Sequence, residues 1–289
     1  LFLHPTSGGT GWEALAKPSR RVREGMILHV DGAALTLRRH LGEGRWLVET
    51  LERGVTVASV LERAGELPLP PYIHRRPVNA ESYQTVYAGV PGSAAAPTAG
   101  LHFTPELLAA LEARGCRLVK TTLHIGLDTF RPITEPRVED HHIHREFFTV
   151  SAKSLTALAE ARAEGRRIVA VGTTSARVLE TIFAPEESRR EWADITVDEA
   201  QGVSGTTGLF IIPGYKFRAV DVLITNFHLP RTSLLAMVMA FAGVERVRGS
   251  YREAVARGYR FFSFGDAMLL ENPDAPWQRW CDTWEEGGS

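Results

Sequence analysis

A chain of 289 residues has room for two domains, and an apolar fraction of 44% lets each bury a core. The formal net charge of −1 excludes a globally basic nucleic-acid binder and confines any such contact to a local patch. Two cysteines in unrelated contexts, Cys116 and Cys281, exclude a disulfide framework or a cysteine metal cluster and fit a reducing, cytoplasmic setting.

Residues 1–72 read as β-rich. The turn pairs Gly8-Gly9 and Asp31-Gly32 and the turn Gly42-Glu43-Gly44 separate short runs such as residues 26–30 and 45–50, the pattern of a small barrel. Pro68, Pro70 and Pro71 then forbid a helix interior or a central strand and make a stiff linker. From residue 73 to 289, helices and strands alternate, which predicts a larger α/β domain. Thr104, Pro105 and Glu106 start a helix that stops near Gly115. Residues 118–125 read as a strand, and Ser151 caps a second helix ending at Gly165. Residues 167–171 form a nearly continuous apolar strand, expected to be buried on both faces. A third helix starts near Thr174, residues 209–225 look β-rich, helices cover 232–242 and 245–257, and a last strand covers 260–264. The tail after Asn272 is polar, Trp-rich and expected to be poorly ordered. The longest apolar run, residues 234–244, falls short of the ~18 residues of a membrane span, so no membrane partner is expected.

Five polar turns interrupt these apolar elements. Residues 96–104 lead into a capped helix, with Thr98, Gly100 and His102 just before it; the open N–H groups there suit an anion or a carbonyl. Residues 123–132 follow a strand, where α/β folds place ligands. His124 is there a candidate base, Gly126 a turn, Asp128 a ribose acceptor and Arg131 an anion clamp, against the simpler reading of a turn with an Arg–Asp pair. Residues 139–146 hold three histidines and three carboxylates but match no zinc-site spacing. In a strand His142, His144 and Glu146 would share one face, which suits a proton-handling wall as well as a metal site. In residues 171–177 a strand runs through Gly172 into Thr173, Thr174, Ser175 and Arg177. That arrangement is either helix capping or a cradle for a carboxylate or phosphate, and it is no Walker loop. The fifth turn pairs residues 213–217, with Tyr215, with residues 225–233, where Asn226 and His228 can read a heterocycle edge. Farther on, residues 259–266 add aromatic rings and Asp266.

In this order the segments 96–104, 123–132, 171–175, 209–217, 223–230 and 259–268 resemble one family, the S-adenosylmethionine:tRNA ribosyltransferase-isomerases of queuosine biosynthesis. The resemblance implies a large α/β domain with an inserted β-barrel. It implies transfer of the ribosyl part of S-adenosylmethionine to a 7-aminomethyl-7-deazaguanine at the tRNA wobble position. The product would be epoxyqueuosine, with adenine and methionine released. S-adenosylmethionine is then a co-substrate, tRNA the partner, and no true cofactor or metal is expected. Family chains carry some tens of residues ahead of the barrel; this chain opens on residues 1–5, which read like the middle of a strand, so a front segment is expected to be missing. Two motif positions also differ: Asp128 replaces a glycine, and Ile143-His144-Arg145-Glu146 replaces Met-His-Ser-Glu.

Such a reaction needs a base for a carbon acidified by a sulfonium, an acid for departing adenine, and exclusion of water. The candidate acid–base pool is His102, His124, His144, Glu146 and His228, with His124 and His102 favoured because each lies beside a glycine turn. Thr98, Gly100, Gly126, Arg131, Thr173, Thr174, Ser175, Arg177, Tyr215, Asn226 and Asp266 are the candidate substrate-binding set. Lys17, Arg20, Arg21 and Arg23 form the clearest basic cluster and are the candidate tRNA contacts, with a solvated charged face as the plainer alternative. A monomer is expected. Two other readings remain open: an ordinary methyltransferase, which the lack of a G-x-G-x-x-G-like loop opposes, and an RNA-binding module without catalysis.

Overall fold

The computed structural model of the chain describes residues 1–6, 11–16, 18, 21–42, 44–66, 68–70, 72–73, 80–90, 93, 95–126, 132–141, 143 and 145–274. The chain divides into two compact units. The smaller comprises Leu1–Ala80, Gly89–Ala96 and His124–Leu127, and the larger comprises Glu81–Ala88, Pro97–Leu123 and Asp128–Ser289. The short segments of the smaller unit are tied to each other: the Ile125 N–H donates to Ser93 Oγ at 3.0 Å.

The smaller unit is built on five antiparallel strands, β1 (Phe2–Pro5), β2 (Gly11–Leu15), β3 (Ile27–Val30), β4 (Ala33–Gly42) and β5 (Arg45–Thr50). They pair in the order β1-β2-β5-β4-β3. This is a five-stranded sheet with β1 and β3 at its ends. Alternation places Leu35, Leu37, Trp46 and Val48 on the buried face. One helix, α1 (Val57–Ala64), packs Val57 and Val60 onto that core. The β-rich reading of residues 1–72 passed over this helix. Its signal is a capping box: Thr56 Oγ accepts from the Ser59 N–H while Ser59 Oγ accepts from the Thr56 N–H. Apolar residues at 57, 60, 61 and 64 then keep a helical period.

The larger unit is mixed α/β with two sheets. Helix α2 (Pro105–Ala113) starts as its Thr-Pro-Glu signal predicts, with Thr104 accepting from the Leu107 N–H. The four-stranded sheet runs β6-β7-β10-β9, from β6 (Thr122–His124), β7 (Glu146–Ser151), β9 (Ala193–Asp198) and β10 (Gly202–Thr207). Helix α3 (Ala152–Ala163) follows β7, capped by Ser151. The three-stranded sheet runs β12-β11-β8, from β8 (Val169–Val171), β11 (Val222–Asn226) and β12 (Ala267–Glu271); β8 and β11 are parallel. Against it pack α4 (Thr173–Ile182), α6 (Ser233–Ala242) and α7 (Val244–Ala256), while α5 (Glu186–Arg189) is a single turn.

Three expectations need correction. Strand β8 is an edge strand with Val169 48% exposed, so its apolar run is not buried on both faces. Residues 209–221 carry no strand; β9 and β10 supply the β-structure before them, and only Val222–Asn226 of the expected stretch is a strand. The last strand is β12, not residues 260–264, because Phe262 takes a positive φ of 72° and turns the chain.

Helix α4 is the joint of the larger unit. Ala176 and Leu179 enter the main core, while Val178 closes the second core under β7 with Phe148 and Val150. Glu180, fully buried on the same helix, accepts from the N–H groups of Arg218, Ala219 and Val220 at 2.9, 2.9 and 3.0 Å and from the Tyr215 hydroxyl at 3.2 Å. Burial pushes its carboxyl above the usual range, and those N–H bonds counter part of the shift. The carboxylate thus does for residues 213–220 what a strand partner would do for a ladder. Glu180→Ala is expected to lower unfolding free energy by about 3 kcal/mol, because three backbone donors lose their acceptor. Glu180→Gln, which keeps one acceptor oxygen, should lose less than half of that in urea unfolding.

Candidate active site

The site lies where the parallel strands β8 and β11 end, the position at which open α/β sheets bind ligands. Gly172 makes the turn from β8 into α4 with φ +93°, and its N–H donates to Ile224 C=O of β11 at 2.8 Å. An L side chain is strained at that φ, which explains the glycine. Ala99 packs against the same turn, its Cβ 3.9 Å from where a Gly172 Cβ would stand. The segment Thr98–His102, one 3₁₀ turn, is thereby set beside the start of α4. Gly100 in that segment is fixed by close approach: a Cβ there would lie 2.0 Å from the Tyr87 hydroxyl and 2.8 Å from Thr85 Cγ2.

Two groups of side chains result. The first lines a small, partly open pocket formed by Ile143, Thr173, Thr174, Arg177, Phe210, Ser233 and neighbouring apolar residues. The N–H groups of Thr173, Thr174 and Ser175 precede the first intrahelical bond of α4, from Ala176 N–H to Gly172 C=O. Helix α6, capped by Thr232, also starts at this pocket with Ser233 and Leu234. Two helix N-termini therefore face one cavity. Arg177 adds a fixed cation. It is 4% exposed and ion-paired with Glu146 of β7, itself 6% exposed. Burial pulls the guanidinium pKa down to about 10, so it stays charged at neutral pH. Its Nε is buried without a hydrogen-bond partner among the described residues. Behind it, the Thr181 hydroxyl bonds Arg177 C=O at 2.7 Å and Thr207 Oγ at 2.7 Å, locking the helix to β10.

The second group surrounds the end of β11. Thr98 Oγ donates to Asn226 Oδ1 at 3.1 Å, and Asn226 Nδ2 lies 3.2 Å from His102 Nε2. Asn226 is 2% exposed, whereas His102 is open to solvent. Asp266 is held by the Arg260 N–H at 2.8 Å and the Arg260 guanidinium at 3.1 Å. These two bonds, and more weakly the nearness of His102, keep its carboxyl below the usual range.

Of the remaining candidates, His228 has one ring nitrogen and its backbone N–H engaged within the protein. Its Nε2 lies 2.8 Å from the Thr225 hydroxyl and its N–H donates to the Tyr251 hydroxyl at 2.8 Å. Tyr215 is committed to Glu180 and to an edge-on contact with Phe217. His124, the last residue of β6, is where the chain passes to the segment His124–Leu127 grouped with the smaller unit, which also holds Gly126 and the exposed Arg21 and Arg23. Arg131, His144, Lys17 and Arg20 lie outside the described residues, as do Asp128 and His142, and β7 begins only at Glu146. Sequence reading missed Arg260, Glu180 and the Tyr87 hydroxyl. None has a local signal, since each acts on a residue far away or across a turn. Among the described residues no group of His, Cys, Asp and Glu is placed to hold a metal.

The family model described as "Queuosine biosynthesis protein" matches residues 1–270. The chain belongs to the queuosine biosynthesis protein family. A relative from Rubrobacter xylanophilus named S-adenosylmethionine:tRNA ribosyltransferase-isomerase is 54% identical over 271 residues, covering 93% of this chain and 74% of its own. One of the same name from Anaeromyxobacter dehalogenans strain 2CP-C is 50% identical over 274 residues, covering 93% and 76%. A crystal structure of S-adenosylmethionine tRNA ribosyltransferase from Thermotoga maritima is 33% identical, covers 92% of this chain and 72% of that one, and gives a TM-score of 0.47. Among the described residues of this family member, no helix is long and apolar enough to cross a membrane.

The histidine of β11's end gives a pH signature. Desolvation pulls the His228 pKa from 6.5 down to about 4. The unfolded chain takes up a proton near the ordinary value, whereas the folded chain refuses it until about pH 4. The stability held by neutral His228 is therefore complete above pH 6.5 and is lost as pH falls towards 4. The loss is at most about 3 kcal/mol. Urea midpoints of wild type are expected to drop between pH 7 and pH 4.5 by more than those of His228→Gln, which has no proton to gain.

Proposed function

We propose that this chain transfers the ribosyl part of S-adenosylmethionine to a 7-aminomethyl-7-deazaguanine at the wobble position of tRNA, forming epoxyqueuosine and releasing adenine and methionine. Family membership and the names of the relatives support the reaction class. The observation that carries the assignment of a site is the pocket at the start of α4. It offers open backbone N–H groups, two threonine hydroxyls and the buried Arg177 to one anion. A methionine carboxylate fits that set: it is planar, carries one charge and accepts from a guanidinium fork and from helix N–H groups. Glu146 occupies one side of the fork and fixes its orientation, so the rest of the guanidinium serves the ligand.

With the carboxylate so held, the Thr98–His102 segment and Asn226 address the nucleoside end. His102 is the large unit's exposed acid–base candidate, and His124 and His144 are carried forward with it. Lys17, Arg20, Arg21 and Arg23 are proposed to meet tRNA phosphates. The smaller unit is proposed as the barrel-type insertion of the family, its five-stranded sheet supplying the expected strand content. The enzyme is proposed to act as a cytoplasmic monomer without a cofactor.

Product analysis tests the reaction. Incubation with S-adenosylmethionine and tRNA carrying the deazaguanine precursor is expected to release free adenine in step with gain of mass on the tRNA. S-adenosylhomocysteine in place of adenine would make the chain a methyltransferase. tRNA binding with neither product would leave an RNA-binding module.

A further inference from the structure

The pocket at the start of α4 has a polar end and an apolar wall. Thr173, Thr174 and Arg177 belong to the one, Phe210 and Met237 to the other. Among the described residues that line it, Arg177 is the one charged side chain and Phe210 the one aromatic ring. Phe210 follows β10 in the chain. Its neighbours Leu209 and Ile211 are buried in the main core and anchor the backbone on both sides, while Phe210 itself is only half-buried. Its ring has the His141 ring as a neighbour, with centroids 5.6 Å apart and planes at 59°. His141 is held in turn, its Nδ1 3.0 Å from Glu135 Oε2. The segment carrying both is pinned near the start of α6, where the Ile133 N–H donates to Arg231 C=O at 2.7 Å. The ring therefore borders the pocket in a fixed setting.

We propose that Phe210 is a specificity-determining residue that reads the positive charge on the donor's sulfur: its ring receives the sulfonium of S-adenosylmethionine. The inference rests on the proposed function, which puts the methionine carboxylate on Arg177. Only three carbons separate that carboxylate from the sulfur, so a small pocket that holds the one holds the other. Glu146, Arg177, carboxylate and sulfonium then alternate in sign, and their charges cancel. Away from water, the sulfonium still needs an electron-rich surface. The face of an aromatic ring supplies one, and the polarizable thioether of Met237 adds to it. Ile143 and Leu234, also in the lining, offer neither. When the bond from sulfur to the ribosyl carbon breaks, its electron pair stays on sulfur and methionine becomes a neutral thioether. The attraction to the ring then lapses, so Phe210 favours the intact donor over the released product.

Binding calorimetry with two ligands separates charge from shape. S-adenosylhomocysteine keeps the carboxylate and the nucleoside of S-adenosylmethionine but lacks the methyl group and the charge. Phe210→Leu keeps an apolar side chain and should weaken S-adenosylmethionine binding about five- to tenfold, the worth of a desolvated cation–π contact, while S-adenosylhomocysteine binding changes by less than about twofold. Phe210→Tyr should bind both ligands as wild type does. Phenylalanine carrying one, two or three ring fluorines, placed at position 210, keeps the size of the ring nearly constant while draining negative charge from its face. Affinity for S-adenosylmethionine should then fall stepwise with fluorination, and affinity for S-adenosylhomocysteine should hold. Equal losses for the two ligands in Phe210→Leu, or an S-adenosylmethionine affinity indifferent to fluorination, overturns the proposal and leaves the carboxylate assignment standing. Wild-type protein that binds neither ligand overturns the proposed function on which it rests.

Discussion

The buried ion pair between Arg177 and Glu146 is the interaction on which the larger unit turns. It joins the second turn of α4 to the first residue of β7, and so joins the two sheets of the unit at one point. A buried pair of charges contributes little net stability against a well-packed apolar pair, while loss of either partner strands the other. Its value here is placement. Around it Thr181 and Thr207 close a string of buried polar contacts, and Val178, one residue on, enters the second core. The cation is therefore held in place, and it borders the pocket that Thr173 and Thr174 at the start of α4 also line.

The rest of the site follows from strand order. Because β8 and β11 are parallel neighbours, their carboxyl ends come together, and each gives way to a glycine or polar turn before a helix. Gly172 lets Ala99 close in, Gly100 lets Tyr87 close in, and the segment carrying Thr98 and His102 is brought to Asn226. One end of the arrangement suits an anion and the other suits an uncharged hydrogen-bonding edge. S-adenosylmethionine has both, at the ends of one flexible molecule.

Much of this was legible in the sequence where the signal is local. The Thr-Pro-Glu start of α2, the Ser151 cap of α3 and the Gly172 turn into α4 are written in adjacent residues, and each element begins as those residues require. Of the five polar turns, four contribute to the larger unit's site: the Thr98 segment, the turn that carries Ile143 and Glu146, the start of α4 and the end of β11. Asp266 joins them from the last loop. What could not be read was partnership across distance. An apolar run such as Arg167–Val171 does not say whether its strand lies at an edge, and Val169 turns out to be exposed. Glu180 looks like one more charge on a helix until residues 218–220 deliver three N–H groups to it. His228 gives no sign in the sequence that its ring would meet the Thr225 hydroxyl and its backbone N–H the Tyr251 hydroxyl.

The central claim is that the pocket between the starts of α4 and α6 receives the carboxylate of the donor. Comparing the affinities of S-adenosylmethionine and decarboxylated S-adenosylmethionine by calorimetry tests it most directly, since the two ligands differ only in that group. Loss of a charge-assisted contact of this kind is worth about 1.5–3 kcal/mol, so the decarboxylated ligand should bind at least tenfold more weakly. Equal affinity for the two would contradict the assignment.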